Sequence, residues 1–328
     1  MAKPGRNNAL TDVAGLQVGH AHDASIMTGA TVILADKPVT AAVAVAGGGP
    51  GTRETDLLRA GNMVDDVDAI VLSGGSAYGL GAADGVAGML GASGRGFSLV
   101  ERPGVPKTPI VPAAILYDLA NGGDKNWGEV PPYSELGRAA FAAASASPES
   151  GTVGAGYGAR AGLHRGGTGM ASLVTHDGMT ISALAAVNSF GSVYMPGTDV
   201  FWAWPFEIDG EFGGRRPPAD YHVAAEDWGD AKTNPAIGEN TTLACIATDV
   251  ALTPSEAQRV ANMALTGFSR AIRPVFAPFD GDVVFVLSTA QRPLPAPGPH
   301  SLARLGECAA NTVARAIARG VWLANQKD

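Results

Sequence analysis

The chain has 328 residues and a formal net charge of −8 at pH 7, so it lacks the basic surface that a nucleic-acid-binding protein needs. Hydrophobic residues make up 46% and charged residues 16%, which permits a large buried core and argues against long disordered segments. The first twenty residues contain no apolar signal-peptide region, and no apolar stretch is long enough to cross a bilayer. We therefore expect a cytoplasmic globular protein with neither a nucleic-acid nor a membrane partner.

The first half of the chain alternates between strand and helix patterns. Residues 30–46 predict two strands joined by a turn at Pro38, and the second strand runs into the glycine loop 47–51. Residues 68–90 predict a buried strand, a glycine turn and an Ala/Gly-rich helix. An apolar run covers 109–118, and the pattern over 135–146 indicates a helix. Because strands and helices alternate without a repeat, we predict one α/β domain.

The second half continues the alternation after one long interruption. A strand is predicted to end at Asn188, whereas residues 195–239, with three tryptophans and several prolines, are typical of a long surface loop. A strand begins at Thr241, and the sequence Thr-Pro-Ser-Glu from Thr253 predicts a capped helix start. A last strand follows Asp280-Gly281-Asp282, and a helix over 301–326 closes the chain.

Several familiar motifs are incomplete. The loop GGGPGTRE lacks the Lys-Ser/Thr pair of a phosphate-binding loop, and residues 156–161 fit a dinucleotide pattern without the required strand and helix. Ser76 misses the nucleophile-elbow spacing by one residue. Cys245 and Cys308 form no metal-binding pair, and His20 and His22 have no third ligand nearby. Structural turns explain these glycines best, and we predict no metal and no cofactor.

The step Asn240-Thr241-Thr242 allows three interpretations. It suits the start of a strand, it fits the N-glycosylation pattern, and it could be a site of self-cleavage. Attack of the Thr241 hydroxyl on the Asn240 carbonyl would produce an ester, whose hydrolysis releases a new α-amine. Such an amine has a pKa of about 7.7–8.0 and can act as the base for its own hydroxyl without a histidine.

Two carboxylates flank one glycine at Asp280-Gly281-Asp282, directly before a strand. On spacing alone a turn is the favoured explanation. The alternative is an acidic pair that orients or deprotonates the ammonium and hydroxyl groups of a nucleophile.

Seven segments in the same order resemble the DmpA-like L-aminopeptidase/D-esterases, a family that includes β-peptidyl aminopeptidases and nylon-oligomer hydrolases. The segments are LTDVAGLQVGHAHD, GGGPGTRETDLL, DAIVLSGGSAYGLGAADGV, VPAAILYDL, VGAGYGARAG, ENTTLACIATD and RPVFAPFDGD. The resemblance implies an αββα layered fold like that of N-terminal-nucleophile hydrolases. It also implies that residues 1–328 form a single catalytic domain, cut into an α chain 1–240 and a β chain 241–328, which assembles as a tetramer of αβ units.

The same resemblance assigns roles to residues. It makes Thr241 the nucleophile, Asn240 the residue before the cut, Asn188 a residue near the oxyanion and Tyr117 a residue near the substrate carbonyl. Asp280 and Asp282 match the acidic pair of the Thr-type nylon-oligomer hydrolases. The family usually has a lysine after VGAGYGARAG, and this chain has Arg165 there, so Arg165 is the candidate substrate-binding residue. An arginine does not replace a lysine that must change its protonation.

The function we predict is a self-processing amidohydrolase or aminopeptidase. Its substrate would be a small peptide, amino-acid amide or oligomer, including 6-aminohexanoate oligomers, attacked through an acyl-enzyme on Thr241. An acyltransferase of the ornithine-acetyltransferase type would use the same nucleophile but pass the acyl group to an amine. A non-catalytic glycine-rich nucleotide-binding protein is the third hypothesis, and it would not be cleaved.

Overall fold

The computed structural model describes residues 2–232 and 240–326. The described part of the chain contains four α-helices: α1 Gly81–Ala92, α2 Tyr133–Ala142, α3 Pro254–Ala271 and α4 Gly298–Ala324. Its strands are β1 Leu16–Asp23, β2 Thr28–Val45, β3 Gly51–Arg53, β4 Asp66–Ser73, β5 Ala113–Ile115, β6 Arg160–Ala161, β7 His164–Arg165, β8 Gly167–Val174, β9 Thr180–Asn188, β10 Thr241–Val250 and β11 Val283–Arg292.

The long strand β2 connects two halves of the hydrogen-bonded sheet. Its first part pairs with β1 and β4, and its last part pairs with β11. The prediction of two strands with a turn at Pro38 is therefore wrong. The register against β4 jumps between Leu34 and Val39, so Pro38 lies in an irregular stretch of one strand. Since proline has no N–H to donate to a ladder, such an irregularity accommodates it without ending the strand.

Three separate apolar clusters define four layers. One cluster packs α1 and α2 against β2 and β4, and includes Val32, Val71 and Val86. A second fills the space between the two halves of the sheet, with Ile33 and Phe285 from opposite halves. The third packs α3 and α4 against the other half. The order is helix, sheet, sheet, helix, and the predicted αββα sandwich is confirmed.

The β9–β10 pair sets the orientation of Thr241 and Asn188. Thr241 lies directly opposite Asn188 in this antiparallel pair, so their side chains project from the same face of the sheet. Along β10, Leu243 and Cys245 face the layer between the two half-sheets, and Thr241 has the same parity. Cys245 is fully buried in this layer.

The segment between β9 and the described residue Lys232 is irregular, as predicted, with one 3-10 turn at Trp204–Phe206. It is not merely a surface loop, because Phe201 and Phe212 are buried in the cluster beneath α4. The helix start at Thr253 is confirmed: its hydroxyl accepts the Glu256 N–H at 3.3 Å, and the Glu256 carboxylate accepts the Thr253 N–H at 2.9 Å. In the described part of the chain, no helix combines the length and apolarity needed to cross a membrane.

Candidate active site

Thr241 stands beside the carbonyl of the peptide bond that precedes it. Its hydroxyl donates a hydrogen bond to the Asn240 carbonyl oxygen at 2.5 Å, and the Gly281 N–H donates to the same oxygen at 2.8 Å. Asn240 and Thr241 are almost completely buried. A Cβ at Gly281 would lie 2.5 Å from the Thr241 hydroxyl oxygen, so glycine is required for this close approach. The hydroxyl and a polarised carbonyl are thus held together in a water-poor site.

The Asn240 side chain has no hydrogen-bond partner within the described chain, although both its polar atoms are buried. Burying an amide without partners typically costs about 1–3 kcal/mol. The uncut arrangement therefore carries an unfavourable contribution at the residue before Thr241. Release of Asn240 as a chain end would remove it.

The glycine loop after β2 holds the acidic loop in place. The N–H groups of Ala46 and Gly49 donate to the carbonyl oxygens of Asp282 and Asp280, at 3.0 and 2.8 Å. A Cβ at Gly47 would lie 2.1 Å from the Asp280 carbonyl oxygen. The amides of this loop are therefore engaged by protein carbonyls and are not directed at a phosphate, as the incomplete motif indicated.

Asp280 and Asp282 are both buried beside Thr241 and Thr242. Asp282 accepts the Thr242 N–H at 2.6 Å and the Phe276 N–H at 3.3 Å. Asp280 accepts the Ala277 N–H at 2.8 Å through one oxygen, while its other oxygen has no partner among the described residues. The two carboxylates therefore contact the backbone around Thr241 and do not only stabilise a turn.

Burial raises the pKa of Asp280 to about 6. Burial, together with the charge of Asp280, raises the pKa of Asp282 to about 8. The physical cause is that two nearby carboxylates with little water cannot both ionise easily. At neutral pH the pair therefore favours sharing one proton and one negative charge.

Lys232 is a residue that the sequence patterns did not single out. Its ammonium lies 3.5 Å from the Asn188 carbonyl oxygen, and its charge lowers the pKa of Asp280 against the effect of burial. Lys232 belongs to the irregular segment before Asn240, where no motif marked it. The signal was available only as a lysine near Thr241 in sequence, which is too common to be informative.

Asn188 and Tyr117 are linked to each other. The Asn188 amide nitrogen donates to the Tyr117 carbonyl oxygen at 2.8 Å, and the Asn188 side-chain oxygen accepts the Arg160 N–H at 2.9 Å. The Tyr117 side chain is half-buried, and its hydroxyl makes no hydrogen bond within the described chain. Asn188 is therefore fixed in orientation opposite Thr241, and the Tyr117 backbone is in contact with it.

Asp118 holds the Tyr117 segment in position, and the sequence patterns did not identify it. Its carboxylate accepts the Gly75 N–H at 2.8 Å and the Thr28 hydroxyl at 2.6 Å. This contact joins the segments SGGSAYG and AILYD. The glycines around Ser76 thus serve a turn that packs on Asp118.

Arg165 does not join the acidic pair. It is exposed on the short β6–β7 hairpin, where it lies opposite Arg160. Both arginines line a cavity of about 350 Å³ with Asn121 and Tyr157. The cation beside Asp280 is Lys232, from a different part of the chain.

The histidine pair His20–His22 also stays outside the cluster. His20 is hydrogen-bonded to Thr31 at 2.9 Å, and burial lowers its pKa to about 4. His22 stacks on Tyr157, with 4.2 Å between the ring centroids.

Comparison with known proteins places the chain in a family. The model of peptidase family S58 matches residues 8–328. An uncharacterized aminopeptidase of Mycobacterium tuberculosis is 41% identical over 336 aligned positions, covering 96% of this chain and 93% of that protein. A 6-aminohexanoate-oligomer endohydrolase of Kocuria sp. is 32% identical, covering 92% of this chain and 80% of that protein.

The fold comparison agrees. The structure of an L-aminopeptidase D-ala-esterase/amidase from Ochrobactrum anthropi, described as a variant of the Ntn hydrolase fold, superposes with a TM-score of 0.67 at 19% identity. The match covers 98% of this chain and 87% of that chain. The chain thus has an Ntn-hydrolase-type αββα fold and belongs to peptidase family S58. It is a hydrolase that acts on amide bonds, and the non-catalytic nucleotide-binding hypothesis is wrong.

Proposed function

We propose that this hydrolase cuts its own chain before Thr241 and then uses Thr241 as an N-terminal nucleophile on short amide substrates. The observation that carries the proposal is the 2.5 Å contact between the Thr241 hydroxyl and the Asn240 carbonyl oxygen, which also accepts the Gly281 N–H. The same geometry that would cut the chain leaves the nucleophile inside a preformed site.

Self-cleavage proceeds in two balanced steps. The Thr241 oxygen attacks the Asn240 carbonyl carbon, the hydroxyl proton goes to a base, and the C–N bond breaks as the Thr241 nitrogen takes a proton. Water then hydrolyses the resulting ester and leaves a carboxyl group on Asn240 and a free hydroxyl and amine on Thr241. The Gly281 N–H stabilises the negative charge on the Asn240 oxygen, a role worth about 3–4 kcal/mol for one such donor.

The acidic pair supplies both a proton acceptor and a proton donor for these steps. Asp280, kept anionic by Lys232, is the acceptor, and protonated Asp282 is the donor. This assignment follows from the different pKa values of the two carboxyls, the usual basis for dividing acid and base roles between neighbouring acids. After cleavage the carboxylate charge also balances the new α-ammonium.

In the mature enzyme the α-amine of Thr241 is the base for its hydroxyl. Asn188 lies directly opposite Thr241 and stabilises the oxyanion of the substrate, and Tyr117 approaches the substrate carbonyl. Water completes the reaction by hydrolysing the acyl-enzyme. The substrates we propose are short peptides, amino-acid amides or ω-amino-acid oligomers with a free amino end, by analogy with the names of the relatives.

Two isosteric changes test the nucleophile. Wild-type protein in denaturing electrophoresis should give pieces of about 24 and 9 kDa, the 33.2 kDa chain divided in proportion to length, and the smaller should begin with Thr241. Thr241→Val should leave one uncut and inactive chain. The matched control is Thr242→Val, because the Thr242 hydroxyl is buried without a partner, and its loss should leave processing intact.

An uncut wild-type chain that hydrolyses amides would contradict the mechanism. Transfer of the acyl group to ornithine faster than to water would instead favour the acyltransferase hypothesis. The cut pieces should elute together in native chromatography. The predictions of a tetramer and of a cytoplasmic location rest on the sequence alone.

A further inference from the structure

Two arginines project from the same face of the hairpin β6–β7. Arg160 and Arg165 are a directly opposed antiparallel pair, which places their side chains side by side. Like charges in this arrangement destabilise a hairpin. Both positive charges are nevertheless present in the hairpin, although the net charge of the chain is −8.

Neither guanidinium has a compensating partner. Within residues 2–232 and 240–326, the side chains of Arg160 and Arg165 make no ion pair and no hydrogen bond. Several other arginines in the described chain are paired with acids, for example Arg53 with Asp84 and Arg270 with Glu307. The charge of the hairpin therefore lies open toward the cavity of about 350 Å³ that both residues line.

Asn188 links this cavity to Thr241, because it contacts a residue that lines the cavity and pairs with Thr241. The N–H of Arg160 donates to the Asn188 side-chain oxygen at 2.9 Å, and Asn188 lies opposite Thr241 across the β9–β10 pair. Asn121 lines the same cavity and donates to the Gly158 carbonyl oxygen at 2.8 Å. A ligand in the cavity would therefore contact the segment that holds Asn188, the residue opposite Thr241.

We infer that this arginine pair is the subsite for the terminal carboxylate of the leaving group, an inference that rests on the proposed function. In a short peptide or ω-amino-acid oligomer the anionic group is the carboxyl end, and two guanidinium groups match its charge and geometry. The ammonium end is repelled by the same pair. The substrate is therefore oriented with its amino end in the acyl part of the site, and short carboxylate-terminated substrates are preferred over neutral ones.

The test compares L-alanyl-L-alanine with L-alanyl-L-alaninamide, which differ only in the charge at the carboxyl end. In Arg160→Gln/Arg165→Gln, the KM for the dipeptide should rise about five- to tenfold, the loss expected for a partly exposed charged contact. Its kcat and the constants for the amide should change by less than about twofold. Arg165→Lys should recover part of the lost affinity, because it keeps the charge.

Two controls separate this inference from the proposed function. Arg102→Gln removes an exposed arginine outside the cavity. It should leave KM and kcat unchanged for both substrates. Binding of N-acetyl-L-alanine and its amide, measured by calorimetry, does not depend on catalysis. Preference for the carboxylate in wild type that disappears in the double variant supports the subsite even if no amide is hydrolysed. Equal losses for dipeptide and amide, or no preference in wild type, would overturn it.

Discussion

At the scale of residues, two adjacent threonines with the same side chain have different surroundings. Thr241 is directed toward the inter-sheet layer and contacts its own preceding carbonyl, whereas Thr242 offers its N–H to Asp282 and has a buried hydroxyl without a partner. The strand alternation produces this difference, because neighbouring side chains point to opposite faces. The proposed nucleophile can therefore be distinguished from the neighbouring threonine by its position on the strand, once the pairing with β9 is known.

The protonation of Asp282 gives a prediction about pH. Its folded pKa of about 8 lies above the ordinary value of 3.8, so the folded chain binds the proton more tightly than the unfolded chain. That contribution is complete below about pH 4 and is lost as the pH rises through about 8. In the uncut Thr241→Val protein, Tm should fall over this range, and adding Asp282→Asn should make the fall shallower.

The control for that measurement is Asp36→Asn, which changes an exposed aspartate and should leave the slope unchanged. Equal slopes of Tm against pH with and without Asp282→Asn would show that folding does not raise the pKa of Asp282.

At the scale of elements, the site is built from loops that follow strands in both halves of the sheet. The glycine loop after β2 and the acidic loop before β11 lie together because the end of β2 pairs with β11, Val45 opposite Val283. The glycine motif is thus explained by close backbone packing. From the sequence it could be recognised as a turn, but its partner could not, since more than two hundred residues separate the two loops.

Adding one methyl group to this loop should slow self-cleavage without unfolding the protein. In Gly47→Ala the new Cβ would lie 2.1 Å from the Asp280 carbonyl oxygen, so the acidic loop must shift. A displacement near 1 Å at a reacting group costs about a hundredfold in rate. Gly49→Ala is the matched control, because its Cβ would meet its nearest atoms at 3.6–3.7 Å. Processing followed by electrophoresis should be slow in the first and normal in the second.

At the scale of the whole molecule, the segment 241–326 is inseparable from the rest of the fold. β10 pairs with β9 on one side, and β11 pairs with β2 on the other, so the two strands that follow Asn240 occupy the middle of the sheet. Helix α4 packs on β8 and β9. A cut before Thr241 would therefore leave two pieces that share one core.

A buried ion pair adds to this association. Arg315 of α4 donates to Glu211 at 2.5 and 2.9 Å and to the Ser172 carbonyl oxygen at 2.7 Å. Arg315→Met leaves the Glu211 charge poorly compensated, and we expect a loss of about 3–5 kcal/mol in the free energy of unfolding. The measurement is urea unfolding in the uncut Thr241→Val background.

Arg270→Met is the control, because its partner Glu307 is exposed and both residues follow Thr241 in the chain. We expect about 1 kcal/mol or less there. A similar loss in both variants would show that the buried pair has no special role in joining the two parts of the fold.

The sequence by itself determined the elements and the family: the strand at Thr241, the capped helix at Thr253, the acidic pair and the ordered motifs. The strand and the helix start are local signals of periodicity and capping, whereas the acidic pair and the family follow from the resemblance of the ordered motifs. Only the tertiary structure decided that Pro38 lies within one long strand, that Lys232 rather than Arg165 stands beside Asp280, and that Arg160 and Arg165 share a cavity. Those facts depend on which strands pair and on how distant loops pack, and such contacts leave no periodic trace in the chain.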